Sequence, residues 1–475
     1  MKVQNTFIYT HLNKAIAASL CTLSTAQIFV QFINSSPALS VSRVAFLALC
    51  ICMLPHFKFR EWALLVGCGL LTLGLLNKIG GADSVLFALD RAAFFAAFIY
   101  LVTLLKEAAQ RSPSVLKLGE YLANQPPGRR YYSLSFGGHI AGILLNFGAI
   151  SLIAPLVQRG AHAQDSVHGK TLATAKILEQ QQVSALTRGF TWMVMWSPTS
   201  LAQVVLFTTV PDADIRITLP LGIAATISMI FLGRLEDRLR WRNKITEPFG
   251  ETIPFPTSAA LRFSAVCFAL IIPTVLVSHI ANVSVVIALM LVAPALVVTW
   301  FIELSQDQKL RNKLKNAGRE IVRMLSSSSS VFGHSAIALG LAGFIGVTAS
   351  ELAPIHVFST YLDVHPVPEW IILVSLPAII LACGQIALSP ILVVVFLGSI
   401  LNQIDVPVAD PNLVFFALGS GWALSMLASP NASATLLLSG ITRIPPTVLT
   451  WRWNGLYAAM CFTAFAVSFG LLSTF

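Results

Sequence analysis

The sequence predicts an all-α polytopic membrane protein made of two inverted-topology repeats, each with a re-entrant hairpin and a broken transmembrane helix. Three observations predict it. Apolar residues make up 56% of the 475 residues, charged residues only 11%, and the mean hydropathy is +0.76. Apolar runs of membrane-spanning length recur along the whole chain. These runs follow the same order on both sides of a charged segment, and one long run in each half contains a Ser-Pro pair.

The composition excludes a soluble enzyme and a disordered chain, because average soluble domains carry about 25% charged residues. The seven cysteines all lie inside apolar runs, with neither the spacing of metal ligands nor a disulfide pattern. We therefore expect no cofactor and no metal site.

The apolar runs divide into crossings and hairpins. A crossing helix needs about 20 predominantly apolar residues. Single crossings are predicted at 14–33, 41–55, 61–77, 84–105, 186–210, 217–233, 258–280, 283–303, 331–350, 412–440 and 453–474. Two further runs, 131–157 and 369–401, are interpreted as hairpins that enter and leave the membrane on the same side.

The distribution of basic residues decides the orientation, because short cytoplasmic loops collect Lys and Arg. If both hairpins are re-entrant, 27 of the 31 basic residues lie on the side of the N-terminus. The opposite loops 351–369 and 402–411 contain no Lys or Arg. We therefore predict the inner (plasma) membrane, with a cytoplasmic N-terminus and an outer C-terminus. The net charge of +10 then indicates a cytoplasmic face lying on anionic lipid of the bilayer, and no nucleic-acid partner.

The order of the runs predicts the domain organisation. Residues 1–40 form an extra N-terminal helix, 41–233 the first repeat, 234–257 a cytoplasmic linker and 258–475 the second repeat. Each repeat contains crossings, then a hairpin, a long crossing and a final crossing. By the charge count, the first repeat starts outside and the second inside. Inverted repeats are typical of secondary transporters, whose binding site lies near the midplane of the bilayer.

Proline interrupts both long crossings, within Trp196 to Ser200 and within Ala428 to Ser433. It removes an amide donor and clashes with the preceding turn, so each crossing is predicted to be broken there. A break exposes a helix N-terminus to an anion and free carbonyls to a cation. The predicted binding residues lie at the two breaks and at the two hairpin tips: Ser197, Pro198, Thr199, Ser429, Pro430 and Asn431, with Asn146, Phe147, Gly148, Gln385 and Ser389.

In this order of elements, residues 41–474 resemble the ion transporter superfamily, and within it the divalent anion/sodium symporters and their citrate-transporter relatives. Ser429-Pro430-Asn431-Ala432 looks like the Thr-Pro-Pro-Asn-Ala break of that family, and Ser197-Pro198-Thr199 like its first-half counterpart. The resemblance implies that the tips 146–149 and 385–389 contact substrate and coupling ion. It also implies an elevator motion against a scaffold of 41–77 and 258–303, usually in a homodimer.

Ionisable residues at membrane depth are functional candidates. His139, in the entering arm of the first hairpin, is a candidate for proton coupling, or else a hydrogen-bonded structural histidine. Asp90 and Arg91 are expected to pair with another helix or to snorkel to the interface.

The function predicted from these features is secondary transport of a small, carboxylate-like organic anion, coupled to a proton or sodium gradient. Two alternatives stay open. An intramembrane transferase or protease has little sequence support, because no H-E-x-x-H motif and no clear pair of intramembrane aspartates occur. A non-transporting scaffold of the same fold is the other alternative, since neither hairpin tip carries the Ser-Asn-Thr sequence of the family.

Overall fold

A computed structural model of the protein describes residues 2–110, 112–167, 172–241, 254–305, 309–354, 359–360, 364, 367–404 and 409–473. These residues form helices with short connections, and no strand occurs among them, which confirms the all-α class. In this part of the chain, ten helices are long and apolar enough to cross a membrane. They coincide with ten of the eleven predicted crossings, the exception being 186–210. The protein is a multi-pass membrane protein.

The first half of the chain is a series of helices whose starts carry recognisable signals. Ser35 accepts a hydrogen bond from the amide of Ala38 and so caps α2, while proline occupies the first turn of α5 and of α6. The helices are α1 Lys2–Ile33, α2 Ser36–Met53, α3 Phe59–Leu76, α4 Gly81–Gln110, α5 Pro113–Ala123, α6 Pro127–Leu145, α7 Phe147–Val167, α8 Leu172–Thr191, α9 Leu201–Thr209 and α10 Ile215–Trp241.

The second half continues in the same manner. Asp410 caps α17 by accepting hydrogen bonds from the amides of Asn412 and Leu413. The helices are α11 Thr257–Ala281, α12 Val285–Leu304, α13 Leu310–Ser327, α14 Ser329–Leu352, α15 Glu369–Gln385, α16 Pro390–Asn402, α17 Pro411–Ala428, α18 Ser433–Thr442 and α19 Gly455–Leu472. A single turn of π-helix, Val448–Arg452, precedes α19.

Two segments differ from their predicted form. Residues 158–188, which the charge count places on the side of the N-terminus, are largely helical, because α7 continues to Val167 and α8 starts at Leu172. The predicted linker 234–257 begins as the last turns of α10, and its residues 242–253 lie outside the described part of the chain. Parts of the predicted outer loops, with Asp363 and Asp405, also lie outside it.

The chain folds into two compact units, and each takes segments from both halves of the sequence. The first unit comprises Met1–Ala108 and Val266–Pro354. The second comprises Ala109–Ala265 and Ile355–Phe475. The repeat boundaries drawn from the sequence are a different division of the chain, and they stay a prediction.

In the first unit, α1 packs along α2, and α14 packs against α3. The guanidinium of Arg43 on α2 binds the carboxylate of Asp90 on α4 through two hydrogen bonds of 2.6 and 2.7 Å, which confirms the expected helix-to-helix pairing of Asp90. Gly340 on α14 lies directly against the ring of Phe46, and Gly343 against the ring of Phe95, so these glycines let helices approach closely.

The second unit contains both hairpins and both long crossings. Within each half of the sequence, the arms of a hairpin pack against the neighbouring long crossing, α6 and α7 against α8, and α15 and α16 against α17. Across the halves, α18 packs against α7 of the first hairpin, and α9 packs against α16 of the second. The second unit therefore contains every residue predicted to bind substrate or ion.

Candidate functional site

The tip of the first hairpin is a one-residue turn at Asn146. Its φ is +49°, a backbone conformation that asparagine adopts more readily than most residues. Its amide donates to the carbonyl of Gly142 at 2.7 Å, and its side-chain oxygen accepts from the amide of Phe147 at 2.8 Å. The next two predicted residues follow directly: the Phe147 ring lies 5.6 Å from the Phe190 ring, and Gly148 is buried. Asn146 thus ends α6 and starts α7 with its own polar groups.

The first long crossing is broken, as predicted. After α8 the chain tightens into a turn of 3-10 helix at Trp192–Met195, and α9 begins only at Leu201. Ser200 caps α9 by accepting from the amide of Ala202 at 3.3 Å.

Hydroxyl groups join this break to the first hairpin. The hydroxyl oxygens of Ser197 and Thr199 lie 2.9 Å apart, and the Thr199 hydroxyl donates to the carbonyl of Ile143, just before the tip. Ser197 and Thr199 are buried, while Pro198 between them is half-buried. The first break and the first hairpin tip therefore form one hydrogen-bonded group of residues.

The second long crossing is broken between Ala428 and Ser433, again as predicted. The buried Ser429 hydroxyl donates to the carbonyl of Gly384 at 2.7 Å. The side-chain amide of Asn431 donates to the carbonyl of Gln385 at 2.9 Å. Ser429 and Asn431, on either side of the buried Pro430, thus donate hydrogen bonds to the carbonyls at the end of α15.

The tip of the second hairpin lies between Gln385 and Pro390, with Ala387 at a φ of +66°. The side-chain oxygen of Gln385 accepts from the indole N–H of Trp451 at 3.0 Å. Ser389 precedes α16 and is half-buried.

The second hairpin tip and the second break are more exposed than the first tip and the first break. The side chain of Asn431 is exposed, and Gln385 is half-buried. The residue before α18 is Ala432, which has no side-chain acceptor, so no side-chain cap covers the first amides of that helix. Uncapped amides beside an exposed carboxamide are hydrogen-bond donors for an anion.

The two breaks share a glycine at the same spacing. A glycine precedes each Ser-Pro serine by eight residues, Gly189 before Ser197 and Gly421 before Ser429. A Cβ atom on Gly189 would lie 1.9 Å from the carbonyl oxygen of Ser135 on α6, and one on Gly421 would lie 2.7 Å from the Cα of Pro377 on α15. In both halves, glycine lets the broken helix contact the backbone of the entering hairpin arm.

A second correspondence lies at the far ends of the short helices. The carbonyl of Thr442, the last residue of α18, accepts from the side-chain amide of Gln158 on α7 at 3.1 Å. The carbonyl of Thr209, the last residue of α9, accepts from the side-chain amide of Asn402 on α16. Each short helix is therefore fastened to the hairpin of the opposite half.

His139 is buried on α6, with both ring nitrogens in hydrogen bonds. The indole N–H of Trp196 can only donate, so Nε2 of His139 accepts from it at 3.0 Å. Nδ1 then carries the proton and donates to the carbonyl of Gly189 at 2.9 Å. This arrangement favours the structural role, and proton coupling through His139 stays a prediction.

The sequence reasoning missed a buried ionic network beside the first break. Arg188 on α8 and Glu236 on α10 are 2% and 3% exposed, and they form an ion pair of 2.8 Å. The Arg188 guanidinium also donates to the Asn454 side chain at 2.9 Å and lies 4.4 Å from the centre of the Tyr457 ring. The count of basic residues places Arg188 on the cytoplasmic side, and Glu236 lies in the predicted linker 234–257. The available signal was the position of Arg188 within the apolar run 186–210.

Comparisons with known proteins define the class of fold. No family model matches the sequence, and no curated protein matches it. The structure is similar to the crystal structure of the YdaH transporter of Alcanivorax borkumensis, with 15% identity and a TM-score of 0.55 over 87% of this chain and 98% of that chain. The MtrF protein of Neisseria gonorrhoeae, described with a class of antimetabolite efflux pumps, is similar over 87% of this chain and 94% of that one, with 12% identity and a TM-score of 0.49.

The chain therefore has a fold similar to that of the YdaH transporter. Its membership of the ion transporter superfamily, its inverted repeats and the roles of its predicted binding residues stay predictions.

Proposed function

We propose that the protein is a secondary transporter that moves a small, carboxylate-like organic anion together with a proton or a sodium ion. The observation that carries the proposal is the second break, where the exposed Asn431 side chain and the uncapped N-terminus of α18 lie beside the tip of the second hairpin. An enzyme would need a nucleophile or paired acid and base groups, and these residues supply hydrogen-bond donors instead. The YdaH-like fold supports the same class of function.

In this proposal, the substrate carboxylate binds at the second tip and break. The positive end of the α18 dipole, its uncapped amides and the Ser389 hydroxyl provide the donors. The side chains of Asn431 and Gln385 donate to backbone carbonyls and hold the tip and the break together around the site. The first tip and break, with Asn146 and Ser197, provide carbonyl and hydroxyl oxygens for the coupling ion.

The placement of these residues supports an elevator mechanism. All of them belong to the second unit. Hydrogen bonds fix each break to its own hairpin, so the site would move across the bilayer as one body. Such a motion needs a partner surface that stays still, and a homodimer of the chain would provide it.

A transport assay tests the proposal in two stages. A thermal-shift screen of the purified chain against carboxylates, sulfate and amino acids, with and without sodium and at two pH values, identifies the substrate and the coupling ion. Uptake of that substrate is then measured in proteoliposomes. We expect Asn431→Ala to lower uptake about tenfold, because it removes the hydrogen bond that holds the second tip against the second break. Asn146→Ala should lower uptake as well.

The matched control is Asn77→Ala, which removes an exposed asparagine from the end of α3 in the first unit. It should transport at the native rate. Full uptake by both the Asn431 and the Asn146 variants would remove the proposed site. Turnover of the substrate by the detergent-solubilised protein without any gradient would instead identify an enzyme.

A further inference from the structure

α13 is unlike every membrane-spanning helix described above. It has five basic residues and one acidic residue among its 18, and it is not among the helices apolar enough to cross. α13 connects two helices that are long and apolar enough to cross the membrane, because α12 ends at Leu304 and α14 begins at Ser329. A segment that does not cross begins and ends at the same membrane surface, so α13 lies at that surface.

One side of α13 is fastened to the protein. Ala317 and Met324 are buried, and the helix packs against α12, α1 and α14 within the first unit. The rest of the helix surface faces away from these neighbours. Its sequence divides that surface into two strips of different chemistry.

The first strip is apolar. At about 100° per residue, Leu310, Leu314, Ile321 and Leu325 fall within an arc of roughly 60°. Leu310 is 66% exposed and Leu314 is 51% exposed. Leucines this exposed, on a helix at a membrane surface, are placed to enter the acyl chains at the headgroup boundary.

The second strip is basic and borders the first. Arg311, Lys315, Arg319 and Arg323 recur every four residues, so they form one ridge along the helix. All four are exposed. Arg323 forms an ion pair with Glu320, the one acidic residue of the helix, which leaves the strip strongly positive.

We propose that α13 is a lipid-binding helix, whose basic ridge Arg311–Lys315–Arg319–Arg323 binds anionic phospholipid headgroups while its leucine strip enters the bilayer. Charge complementarity selects the lipid. Cationic side chains next to an exposed apolar strip attract anionic headgroups, whereas zwitterionic headgroups offer no net charge. The partner is the bilayer, because both ends of the helix are fixed at the membrane surface.

Native mass spectrometry of the full-length chain tests the proposal. The protein is exchanged into detergent with equal amounts of phosphatidylglycerol and phosphatidylcholine, and the retained lipids are counted. We expect the native chain to retain phosphatidylglycerol preferentially. Replacement of the four ridge residues by glutamine should lower this preference on the order of tenfold or more.

Two matched variants separate a lipid site from a general effect of charge. Exchange of the three ridge arginines for lysine keeps the charge and should keep the preference. Glutamine at four exposed basic residues elsewhere, Lys117, Arg129, Arg238 and Arg262, removes the same charge and should also keep it. The thermal midpoint of every variant checks that it is folded.

Three outcomes would overturn the proposal. The first is equal retention of the two lipids by the native chain. The second is an undiminished preference in the ridge variant. The third is an equal loss of preference in the variant with four distant glutamines, which would assign the lipid binding to net charge and not to α13.

Discussion

Single side chains at the two breaks bond to carbonyls at the ends of the hairpins. The last carbonyls of each entering hairpin arm have no amide donor in their own helix, so at membrane depth they need other partners. Thr199 supplies a hydroxyl donor to Ile143 in the first half, while Ser429 and Asn431 supply donors to Gly384 and Gln385 in the second. In both halves, the residue directly after the proline reaches the hairpin. That shared role explains why threonine and asparagine can occupy equivalent positions.

The first prediction concerns His139, whose ring joins Trp196 to Gly189. His139→Ala leaves the half-buried indole N–H of Trp196 and the buried carbonyl of Gly189 without their side-chain partner, so we expect a loss of about 1–3 kcal/mol in the free energy of unfolding. The measurement is thermal unfolding in detergent. Ile140→Ala, at an exposed position on the same helix, is the control and should change stability less. In transport assays, a shift of the pH profile in a folded His139 variant would favour proton coupling over the structural role.

The second prediction concerns Ala387, which holds a φ of +66° at the second hairpin tip. A left-handed backbone costs roughly 1–2 kcal/mol for a residue with a Cβ atom, and glycine avoids that cost. Ala387→Gly is therefore expected to raise the thermal midpoint. The control Ala382→Gly places the same change inside α15 and should lower it, because glycine disfavours a helix by about 1 kcal/mol. A lowered midpoint for Ala387→Gly would contradict the argument.

At the scale of helices, the third prediction concerns the glycines that bring each broken helix onto its hairpin. An added methyl at Gly189 or Gly421 would meet backbone atoms of the entering hairpin arm, and backbone cannot rotate away. We expect Gly189→Ala and Gly421→Ala each to cost about 1–3 kcal/mol of stability. Gly440→Ala on α18 has open space around it and should be neutral or slightly stabilising. Equal midpoints for all three variants would contradict the close packing.

The fourth prediction concerns the ion pair of Arg188 and Glu236, which joins α8 to α10. Glu236→Leu leaves the buried guanidinium with neutral partners among the described hydrogen bonds, so we expect a loss of about 3–5 kcal/mol. Arg188→Met should cost less, because Glu236 still has Arg240 at 3.3 Å. The double variant should cost less than the sum of the two single ones.

The comparison pair for this test is Arg323 with Glu320, whose side chains are 74% and 43% exposed. Arg323→Gln should change stability by less than about 1 kcal/mol, since solvent screens an exposed pair. Additive losses in the Arg188 and Glu236 variants would show that the buried pair is not coupled.

The sequence predicted most of the elements, because helices that contact lipid are recognisable as long apolar runs. Ten of eleven crossings, both hairpin turns and both breaks lie where the apolar runs and the Ser-Pro pairs placed them. It did not identify most of α8 as a helix, because no apolar run marks residues 172–185. The polar residues of α8, among them Gln182 and Thr187, face protein and not lipid, and they are buried there. Hydropathy reports contact with lipid, so it overlooks a helix enclosed by other helices.

The sequence predicted where in the chain the candidate site lies, but it did not predict which residues contact one another there. Proline and asparagine mark a break or a tip within a few residues, because their backbone chemistry acts locally. Each short helix packs against the hairpin of the opposite half. The Gln158 side chain donates to the carbonyl of Thr442, 284 positions away, and the Asn402 side chain donates to the carbonyl of Thr209, 193 positions away. No local pattern encodes such a pairing.

For the whole molecule, the distribution of basic residues and the lengths of the hairpin arms both favour hairpins that are re-entrant. The second hairpin has arms of 17 and 13 residues, about 25 and 20 Å long at 1.5 Å per residue, which is shorter than a hydrocarbon core of about 30 Å. Arms of this length enter and return more readily than they cross. The first hairpin has a longer second arm, of which only Phe147–Gln158 is apolar. The re-entrant interpretation of the first hairpin therefore needs a direct test.

The fifth prediction places the segments on either side of the first hairpin at one face of the membrane. Lys117→Cys on α5 and Lys176→Cys at the start of α8 carry exposed reporters, and Lys78→Cys marks the opposite face. We expect a membrane-impermeant maleimide to label positions 117 and 176 from the cytoplasmic side only, and position 78 from the outside only. The unmodified chain, with its seven cysteines, gives the background. If 117 and 176 were labelled from opposite sides, residues 131–157 would make one net crossing of the bilayer and basic loops would lie outside. The two halves would then share one orientation, and the proposed carrier mechanism would lose its basis.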